Sequence, residues 1–202
     1  MIKAAIFDVD GTVLDSMPVW ESADRAYLRK LGIEFDEAVY NKMHTMTFET
    51  SAVYFCRAFN LDITPEQLKA DILEELNRRY GDEVAPIPGM PELIKELHER
   101  GLRMSVATSN RRDLVTAALT RLGLIGYFER ILICDELGTG KHEPTIYIRA
   151  AELMDAGPCE TAVFEDSPHA IKTAKEAGFI TITAPDHDFT DAAARRELIE
   201  SL

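Results

Sequence analysis

Short apolar runs alternate with helical segments along most of this chain, and that alternation limits its possible folds more than any other feature. Five runs have the length and residue types of buried strands: residues 4–7, 104–107, 131–134, 162–164 and 180–184. Four of these runs follow helical patterns, and glycines such as Gly101, Gly123 and Gly178 mark where helices end. Strands that alternate with helices predict an α/β fold with a doubly wound parallel sheet.

The stretch from about Met17 to Tyr80 interrupts this alternation with several helical patterns in succession and no convincing strand. The interruption ends at residues 85–89, whose sequence APIPG contains proline and glycine, which stop a helix and favour a hinge. We therefore expect a core domain of residues 1–15 and 87–202, with residues 16–86 as an inserted helical domain that could close over the sheet.

Composition and charge narrow the class of protein further. Of the 202 residues, 46% are hydrophobic and 28% are charged, which is typical of a soluble globular protein. A formal net charge of -13 disfavours binding to nucleic acid or to an anionic membrane surface, so an anionic substrate would need a metal ion and basic side chains nearby. Three widely spaced cysteines, no signal-peptide pattern and no bilayer-spanning run favour the cytoplasm. We expect a monomer, with a dimer as the alternative.

The first predicted strand runs directly into Asp8-Val9-Asp10-Gly11-Thr12. Two carboxylates two positions apart would leave the strand on the same side, where like charges destabilise each other unless a cation lies between them. Asp10-Gly11 alone would also suit a hairpin turn, but a helical pattern follows where the second strand of a hairpin should be. The motif therefore indicates a divalent metal site more than a hairpin.

Three further polar groups lie where later strands end: Thr108-Ser109, Lys141 and Glu165-Asp166. Taken singly, the first and last of these suit helix N-caps, and a lone lysine suits a solvated loop. All of them, together with the first motif, nevertheless lie at carboxyl ends of predicted parallel strands, the edge where open α/β sheets bind ligands. We therefore expect one shared site.

In this order the residues resemble the four motifs of the haloacid dehalogenase (HAD) superfamily: Asp8 to Thr12 as DxDGT, then Thr108, Lys141 and Glu165-Asp166. The resemblance covers nearly the whole chain. It implies a Rossmann-like core, and it identifies the inserted helices as the cap that these proteins carry between the first motif and the second strand. Asp10 resembles the phosphoryl-transfer branch of the superfamily and not the branch that removes halide.

The resemblance implies a phosphatase that acts on a small phosphorylated metabolite, such as a sugar phosphate. Asp8 would attack phosphorus in line and form an aspartyl phosphate. Asp10 would serve as the acid for the departing alcohol and then as the base for water. Thr108, Lys141 and the amides near Ser109 would hold the oxygens of the transferring group.

The same resemblance implies Mg²⁺ as the cofactor. Its ligands would be Asp8, the backbone carbonyl of Asp10 and Asp166, with Glu165 binding directly or through water. Such an ion would allow an anionic carboxylate to approach an anionic phosphate.

Closure of the cap would exclude bulk water and bring substrate-contacting side chains over the site. The candidates are basic residues of the inserted helices: Lys42, His44, Arg78 and Arg79. Because basic residues on helical surfaces are more often solvated, a purely structural role is the alternative for each of them.

Within the superfamily, the chain is most similar in architecture to sugar-phosphate phosphatases and β-phosphoglucomutase. Two of its positions depart from the pattern of these proteins. Trp20 occupies the place of a histidine that assists the acid/base aspartate in the mutases, so we expect a hydrolase, with a mutase as the alternative. Trp20 itself would pack against the core or stack on a substrate ring. His142 occupies a place where proline is common and could alter the loop. A catalytically silent protein that binds a phosphorylated ligand is the third interpretation, although such a protein has no need of self-repelling acids.

Overall fold

The computed structural model describes residues 2–34, 36–43, 46 and 48–202. Its strands are β1 (Ala4–Phe7), β2 (Leu14–Asp15), β3 (Ala85–Pro86), β4 (Arg103–Thr108), β5 (Arg130–Ile133), β6 (Thr161–Glu165) and β7 (Ile180–Thr183). Its helices are α1 (Met17–Lys30), α2 (Glu37–Met43), α3 (Phe48–Ala58), α4 (Pro65–Asp82), α5 (Met90–Glu99), α6 (Arg112–Arg121), α7 (Cys134–Leu137), α8 (Thr145–Leu153), α9 (Pro168–Glu176) and α10 (Ala192–Ser201). Within the described ranges, no helix has both the length and the apolar character needed to cross a bilayer.

Five of the strands form one parallel sheet in the order β5-β4-β1-β6-β7, which confirms the predicted doubly wound α/β core. The first strand lies at the centre, with Phe7 aligned to Val106 of β4 on one side and to Phe164 of β6 on the other. The carboxyl ends of these three strands therefore lie side by side. The polar residues that follow them are brought to one edge of the sheet.

The predicted strands agree with the observed ones to within one residue at each end. The third predicted strand, residues 131–134, is shifted one position toward the carboxyl terminus relative to the observed strand β5, because Cys134 is already the first residue of α7. The last predicted strand, residues 180–184, is one residue longer than the observed strand β7. It stops at Thr183 because Ala184 begins a short 3-10 turn that contains Pro185.

Alternate residues of the central strand pack into two different cores. Ala5 and Phe7 belong to the larger one, which contains apolar side chains of α5, α6 and the inserted helices. Ala4 and Ile6 belong to the smaller one, built with α8 and α9. Because all four residues are fully buried, the strand is fixed firmly and so is the start of the segment that follows it.

The described part of residues 17–82 forms α1 to α4, called the cap below, and contains helices only, as the sequence predicts. The cap is joined to the core through β2 and β3, which pair antiparallel with Leu14 opposite Pro86. Helix α4 also packs against α6 of the core, where the Arg121 side chain donates a hydrogen bond to the carbonyl of Val84. The cap therefore contacts the core at its connections and along one helix.

Helix α4 buries one face against its neighbours. The Thr64 hydroxyl caps its start by accepting a hydrogen bond from the amide of Gln67 (3.2 Å), and proline occupies the first turn. Its buried residues recur at every fourth position: Leu68, Ile72, Leu76 and Tyr80. Tyr80 is the last residue of this face and is fully buried, so the helix carries a phenol toward the first motif of the core.

Candidate active site

A cavity of about 670 Å³ lies between the carboxyl edge of the sheet and the cap. Its core wall contains every core residue predicted for the site: Asp8, Asp10, Thr108, Ser109, Lys141, Glu165 and Asp166. Its cap wall contains Trp20 and Asp24 together with apolar side chains such as Phe55 and Ile72. A cavity of this size suits a small metabolite, and the four motifs meet in it as expected from the strand ends.

A buried ion pair joins Asp8 to Lys141 in this cavity. The Lys141 ammonium also donates a hydrogen bond to Glu165 (2.6 Å), which accepts a second one from the Tyr147 hydroxyl (3.0 Å). Lys141 is only 6% exposed, so the alternative of a solvated loop lysine is wrong. Burial opposes its charge, but Asp8 and Glu165 together raise the pKa of Lys141 well above its ordinary value. A permanent positive charge is thus fixed beside the Asp8 carboxylate.

Three acids converge beside this lysine. Asp8, Glu165 and Asp166 each offer a carboxylate oxygen, and these oxygens lie within 4.8 Å of one another. Burial raises the pKa of Asp8 to about 7, with Glu165 adding to the effect, and burial with the charge of Asp8 raises the pKa of Asp166 to about 6. Three carboxylates and one ammonium leave a negative charge that a divalent cation would offset, and oxygen ligands suit Mg²⁺. The residues present therefore fit the expected metal.

Gly11 allows the chain to turn directly beside Asp166. Its φ of +80° lies in the left-handed region that favours glycine. A Cβ atom at this position would lie 2.3 Å from Oδ2 of Asp166, far inside contact distance. Any other residue would therefore strain the backbone and displace the Asp166 carboxylate.

The segment after the first motif does turn back, but it does not form the alternative hairpin with β1. The amides of Val13 and Leu14 both donate hydrogen bonds to the Val9 carbonyl (2.9 and 2.8 Å), which closes a tight turn. The short strand that follows, β2, pairs with β3 at the other connection to the cap. The turn thus directs the chain into the cap.

The Asp10 carboxylate has hydrogen-bond donors from both the core and the cap. It accepts hydrogen bonds from the Ser16 hydroxyl (2.5 Å), the Asn110 side-chain amide (2.8 Å) and the Tyr80 hydroxyl. The Tyr80 oxygen in turn accepts hydrogen bonds from the Trp20 indole (2.6 Å) and from Asn110 (3.1 Å). Burial, followed by the charge of Asp10, raises the pKa of Tyr80 well above its ordinary value, so this phenol stays protonated and remains a donor.

Thr108 is buried at the end of β4, where its hydroxyl accepts a hydrogen bond from the Asn110 amide (3.0 Å) and can still donate one to a ligand. The Ser109 hydroxyl donates to the sulfur of Cys134 (3.5 Å). The next helix begins only after Arg111 and has no side-chain cap. The alternative of an ordinary N-cap is therefore wrong for Thr108 and Ser109.

Trp20 packs where cap and core meet, as one of its two interpretations predicts. Its ring lies edge-on to that of Tyr80, with 6.3 Å between the centroids, and packs against the larger core. Trp20 also lines the cavity, and its stacking on a substrate ring stays a prediction. His142 lines the cavity as well, with a largely exposed side chain.

Three basic cap residues that the sequence proposes as substrate contacts are absent from the described lining of the cavity. The Lys42 ammonium lies over a tyrosine ring, 4.8 Å from its centroid. Arg78 and Arg79 both form ion pairs with Glu75. His44 lies outside the described residues. Contact of these four residues with substrate stays a prediction.

Sequence reasoning missed several polar residues that the structure places at the site, among them Asp24, Tyr80, Asn110 and Tyr147. Asn110 had a usable signal, because it directly follows Thr108 and Ser109 at a strand end. Asp24, Tyr80 and Tyr147 lie on helices, where nothing in the local pattern separates a site residue from a core or surface residue.

The family model described as haloacid dehalogenase-like hydrolase matches residues 5–184, which include all four motifs. The phosphorylated carbohydrates phosphatase of Thermotoga maritima is 26% identical over 196 residues, covering 97% of this chain and 91% of that protein. The β-phosphoglucomutase of Bacillus subtilis is 26% identical over 189 residues, covering 90% and 82%. The crystal structure of CbbY from Rhodobacter sphaeroides in complex with phosphate gives a TM-score of 0.77 at 25% identity, covering 98% of this chain and 96% of that one.

Proposed function

The chain belongs to the haloacid dehalogenase-like hydrolase family, and on this basis we propose that it is a Mg²⁺-dependent phosphatase. It would hydrolyse a small phosphomonoester, such as a sugar phosphate, through an aspartyl phosphate on Asp8. The observation that carries the proposal is the buried contact between Asp8 and Lys141 in a cavity that the cap covers. The similarity to a phosphatase of phosphorylated carbohydrates supports the substrate class.

The chemistry would proceed in two displacements. In the first, a carboxylate oxygen of Asp8 attacks phosphorus, the bond to the ester oxygen breaks, and Asp10 gives its proton to the leaving alcohol. In the second, water attacks the same phosphorus, Asp10 takes a proton from that water, and the bond between phosphorus and Asp8 breaks to release inorganic phosphate. The donors from Ser16, Tyr80 and Asn110 support this role because they fix the direction of the Asp10 carboxyl group.

Lys141, Thr108 and the Ser109 amide would bind the phosphoryl oxygens. The ammonium of Lys141 is fixed by two carboxylates and therefore needs little reorganisation when the phosphate arrives. The Thr108 hydroxyl is buried and held by the Asn110 amide, so its oxygen is fixed as well. Such preorganised donors are worth most in a cavity from which water is excluded.

Asp8, Glu165 and Asp166 would hold Mg²⁺, together with the backbone carbonyl of Asp10 that the family resemblance adds. When bound, the ion would offset the negative charge of the phosphate and of the attacking carboxylate. The Tyr147 hydroxyl and the Lys141 ammonium both donate hydrogen bonds to Oε2 of Glu165 and would fix the direction of this carboxylate.

The cap domain, residues 16–86, would close over the bound substrate and exclude water. The net charge of -13 supports a protein that binds neither nucleic acid nor anionic membranes and that attracts its anionic substrate only through local groups. We place it in the cytoplasm, as a monomer.

A phosphomutase is the second candidate, because the β-phosphoglucomutase of Bacillus subtilis is also similar to this chain. A mutase must protect its phosphorylated aspartate from water. Here Trp20, not histidine, donates to the tyrosine that contacts Asp10. This difference favours hydrolysis.

The test measures release of inorganic phosphate from a panel of phosphorylated sugars, nucleotides and small acids. Wild-type protein is compared with Asp8→Asn, with Mg²⁺ or with excess chelator. Metal-dependent release that Asp8→Asn abolishes supports the proposal. Isomerised sugar phosphate without release would replace it with the mutase. Binding of a phosphorylated ligand with neither reaction would make the protein a silent binder.

A further inference from the structure

One carboxyl group of the cavity has no part in this mechanism. Asp24 lies on α1 in the cap wall and is only 5% exposed. Among the described residues, nothing donates a hydrogen bond to its carboxylate or forms an ion pair with it. Burial alone raises the pKa of Asp24 to about 7. A buried carboxyl group without a partner is costly, so its presence on the wall of a binding cavity indicates that a ligand supplies the partner.

The surroundings of Asp24 define what kind of partner it needs. The cap wall around it is formed largely by apolar side chains such as Met17, Phe55 and Leu68. Lys69 also lines this wall, but its ammonium is already paired with Glu49. The Asp24 carboxylate therefore offers a ligand a hydrogen-bond acceptor, which carries a negative charge when it is ionised.

We propose that Asp24 binds hydroxyl groups of the substrate beyond its phosphate, so that the site selects polyol or sugar monophosphates over substrates with a second anionic group. This inference rests on the proposed function, which places the phosphate of the substrate at Asp8 and Lys141. The remainder of the substrate then extends toward the cap wall of the same cavity.

Two physical effects give this selectivity. An ionised carboxylate accepts hydrogen bonds from two adjacent hydroxyl groups, and such charge-assisted bonds are stronger than neutral ones. The same carboxylate repels a second phosphate or carboxylate, and this repulsion is much larger in a partly desolvated cavity than in bulk water. Phosphoglycolate, which carries a carboxylate besides its phosphate, is therefore disfavoured.

Binding to Asp8→Asn protein tests the inference without turnover. Calorimetric titrations with Mg²⁺ at about pH 8, above the pKa of Asp24, would compare sorbitol 6-phosphate, glucosamine 6-phosphate and phosphoglycolate. We expect sorbitol 6-phosphate to bind about 10-fold or more tightly than phosphoglycolate. Adding Asp24→Leu should weaken sorbitol 6-phosphate about 10- to 100-fold. Adding Asp24→Asn keeps the shape of the side chain and removes its charge. It should reduce the ratio of the affinities for sorbitol 6-phosphate and phosphoglycolate about 10-fold.

Glu21→Gln is the matched control, because Glu21 is a carboxylate on the same helix that is well exposed and paired with Arg25. It should leave all three affinities unchanged. The inference is overturned if Asp24→Leu binds sorbitol 6-phosphate within about twofold of its parent, or if Asp24→Asn leaves the preference unchanged. Tighter binding of glucosamine 6-phosphate by about 10-fold would show an ammonium site and would overturn the polyol assignment. Should the leucine variant not fold, the asparagine variant decides.

Hydrolysis of p-nitrophenyl phosphate, which has no hydroxyl groups for Asp24, separates this inference from the proposed function. If Asp24→Asn hydrolyses p-nitrophenyl phosphate normally but no longer prefers sorbitol 6-phosphate, both the phosphatase and the role of Asp24 are supported. Normal hydrolysis with unchanged selectivity overturns the role of Asp24 alone. No hydrolysis of any substrate by the wild-type protein overturns the phosphatase, while the binding titrations still decide what Asp24 contacts.

Discussion

The Tyr80 hydroxyl donates a hydrogen bond to the Asp10 carboxylate, so a cap helix directly contacts the residue proposed as the acid and base of the core. The contact spans 70 positions of the sequence, and its Tyr80 side is fully buried. It exists because α4 packs against α6 of the core and its row of buried residues ends with Tyr80 beside the first motif. The position of the cap and the direction of Asp10 are therefore linked.

Replacing Tyr80 with phenylalanine should lower kcat by about 10-fold, because Asp10 loses a donor that fixes its direction. KM should change little, since the residues proposed to bind the phosphate are untouched. Steady-state kinetics on the preferred substrate measures both constants. Tyr127→Phe is the control, as Tyr127 lies on the far side of the core beside His98. A kcat within about twofold of wild type would show that Ser16 and Asn110 suffice to orient Asp10.

Replacing Gly11 with alanine should reduce kcat/KM by about 100-fold, because the new methyl group would displace the Asp166 carboxylate. The concentration of Mg²⁺ needed for half-maximal activity should also rise. Gly123→Ala separates this effect from backbone strain, since Gly123 has a similar φ of +71° but open space where its Cβ would lie. Both variants should lose about 1 kcal/mol of stability, and equal kinetics in the two would contradict the proposed role of Gly11.

Replacing Lys141 with methionine should destabilise the protein by about 3–5 kcal/mol, because Asp8 and Glu165 would remain buried without their cation. Chemical denaturation in the presence of chelator measures this loss. Mg²⁺ should restore part of the stability if it binds the same acids. Lys172→Met, at an exposed surface pair, should change stability by less than about 1 kcal/mol. Equal losses in the two variants would contradict the buried pair.

Replacing Asp24 with asparagine should change how stability depends on pH. The pKa of Asp24 is raised to about 7 in the folded protein, so between pH 4 and 7 the folded state binds more protons than the unfolded state. Stability from this group therefore falls as pH rises through that range. Asparagine does not titrate and removes this effect. Above pH 7 the free energy of unfolding of Asp24→Asn should therefore exceed that of the wild type by at most about 4 kcal/mol.

Denaturation midpoints between about pH 5 and pH 8 for wild type, Asp24→Asn and Glu21→Gln would measure this advantage. The exposed Glu21 should show no comparable trend. If the stability of wild type and of Asp24→Asn changed with pH in parallel, Asp24 would have a partner in solution, and the absence of one in the structure would no longer support a role in substrate binding.

The sequence was most informative where local pattern and three-dimensional position are directly linked. Strand ends predict a shared edge in a parallel sheet, and so Asp8, Thr108, Lys141 and Asp166 could be placed in one site before the fold was known. The burial of Lys141 could not be predicted, because a lone lysine in a glycine-containing loop is usually solvated.

The contribution of the cap could not be predicted for a different reason. Tyr80 and Asp24 lie on helical faces whose partners depend on how α1 and α4 pack. Periodicity shows that a face is buried, but not against what. The basic residues chosen for their charge, such as Arg78 and Arg79, pair with Glu75 on their own helix, which is the commoner outcome for surface charges.

The antiparallel pairing of β2 with β3 means that the chain leaves the core and returns to it at adjacent points. With Asp15 opposite Ala85, the two ends of the cap are only about 5 Å apart. A module inserted in this way can be exchanged for that of a relative without breaking the sheet or moving its loops. Substrate range could thus be transplanted while the reaction stays with the host, provided that the incoming helix brings a donor for Asp10.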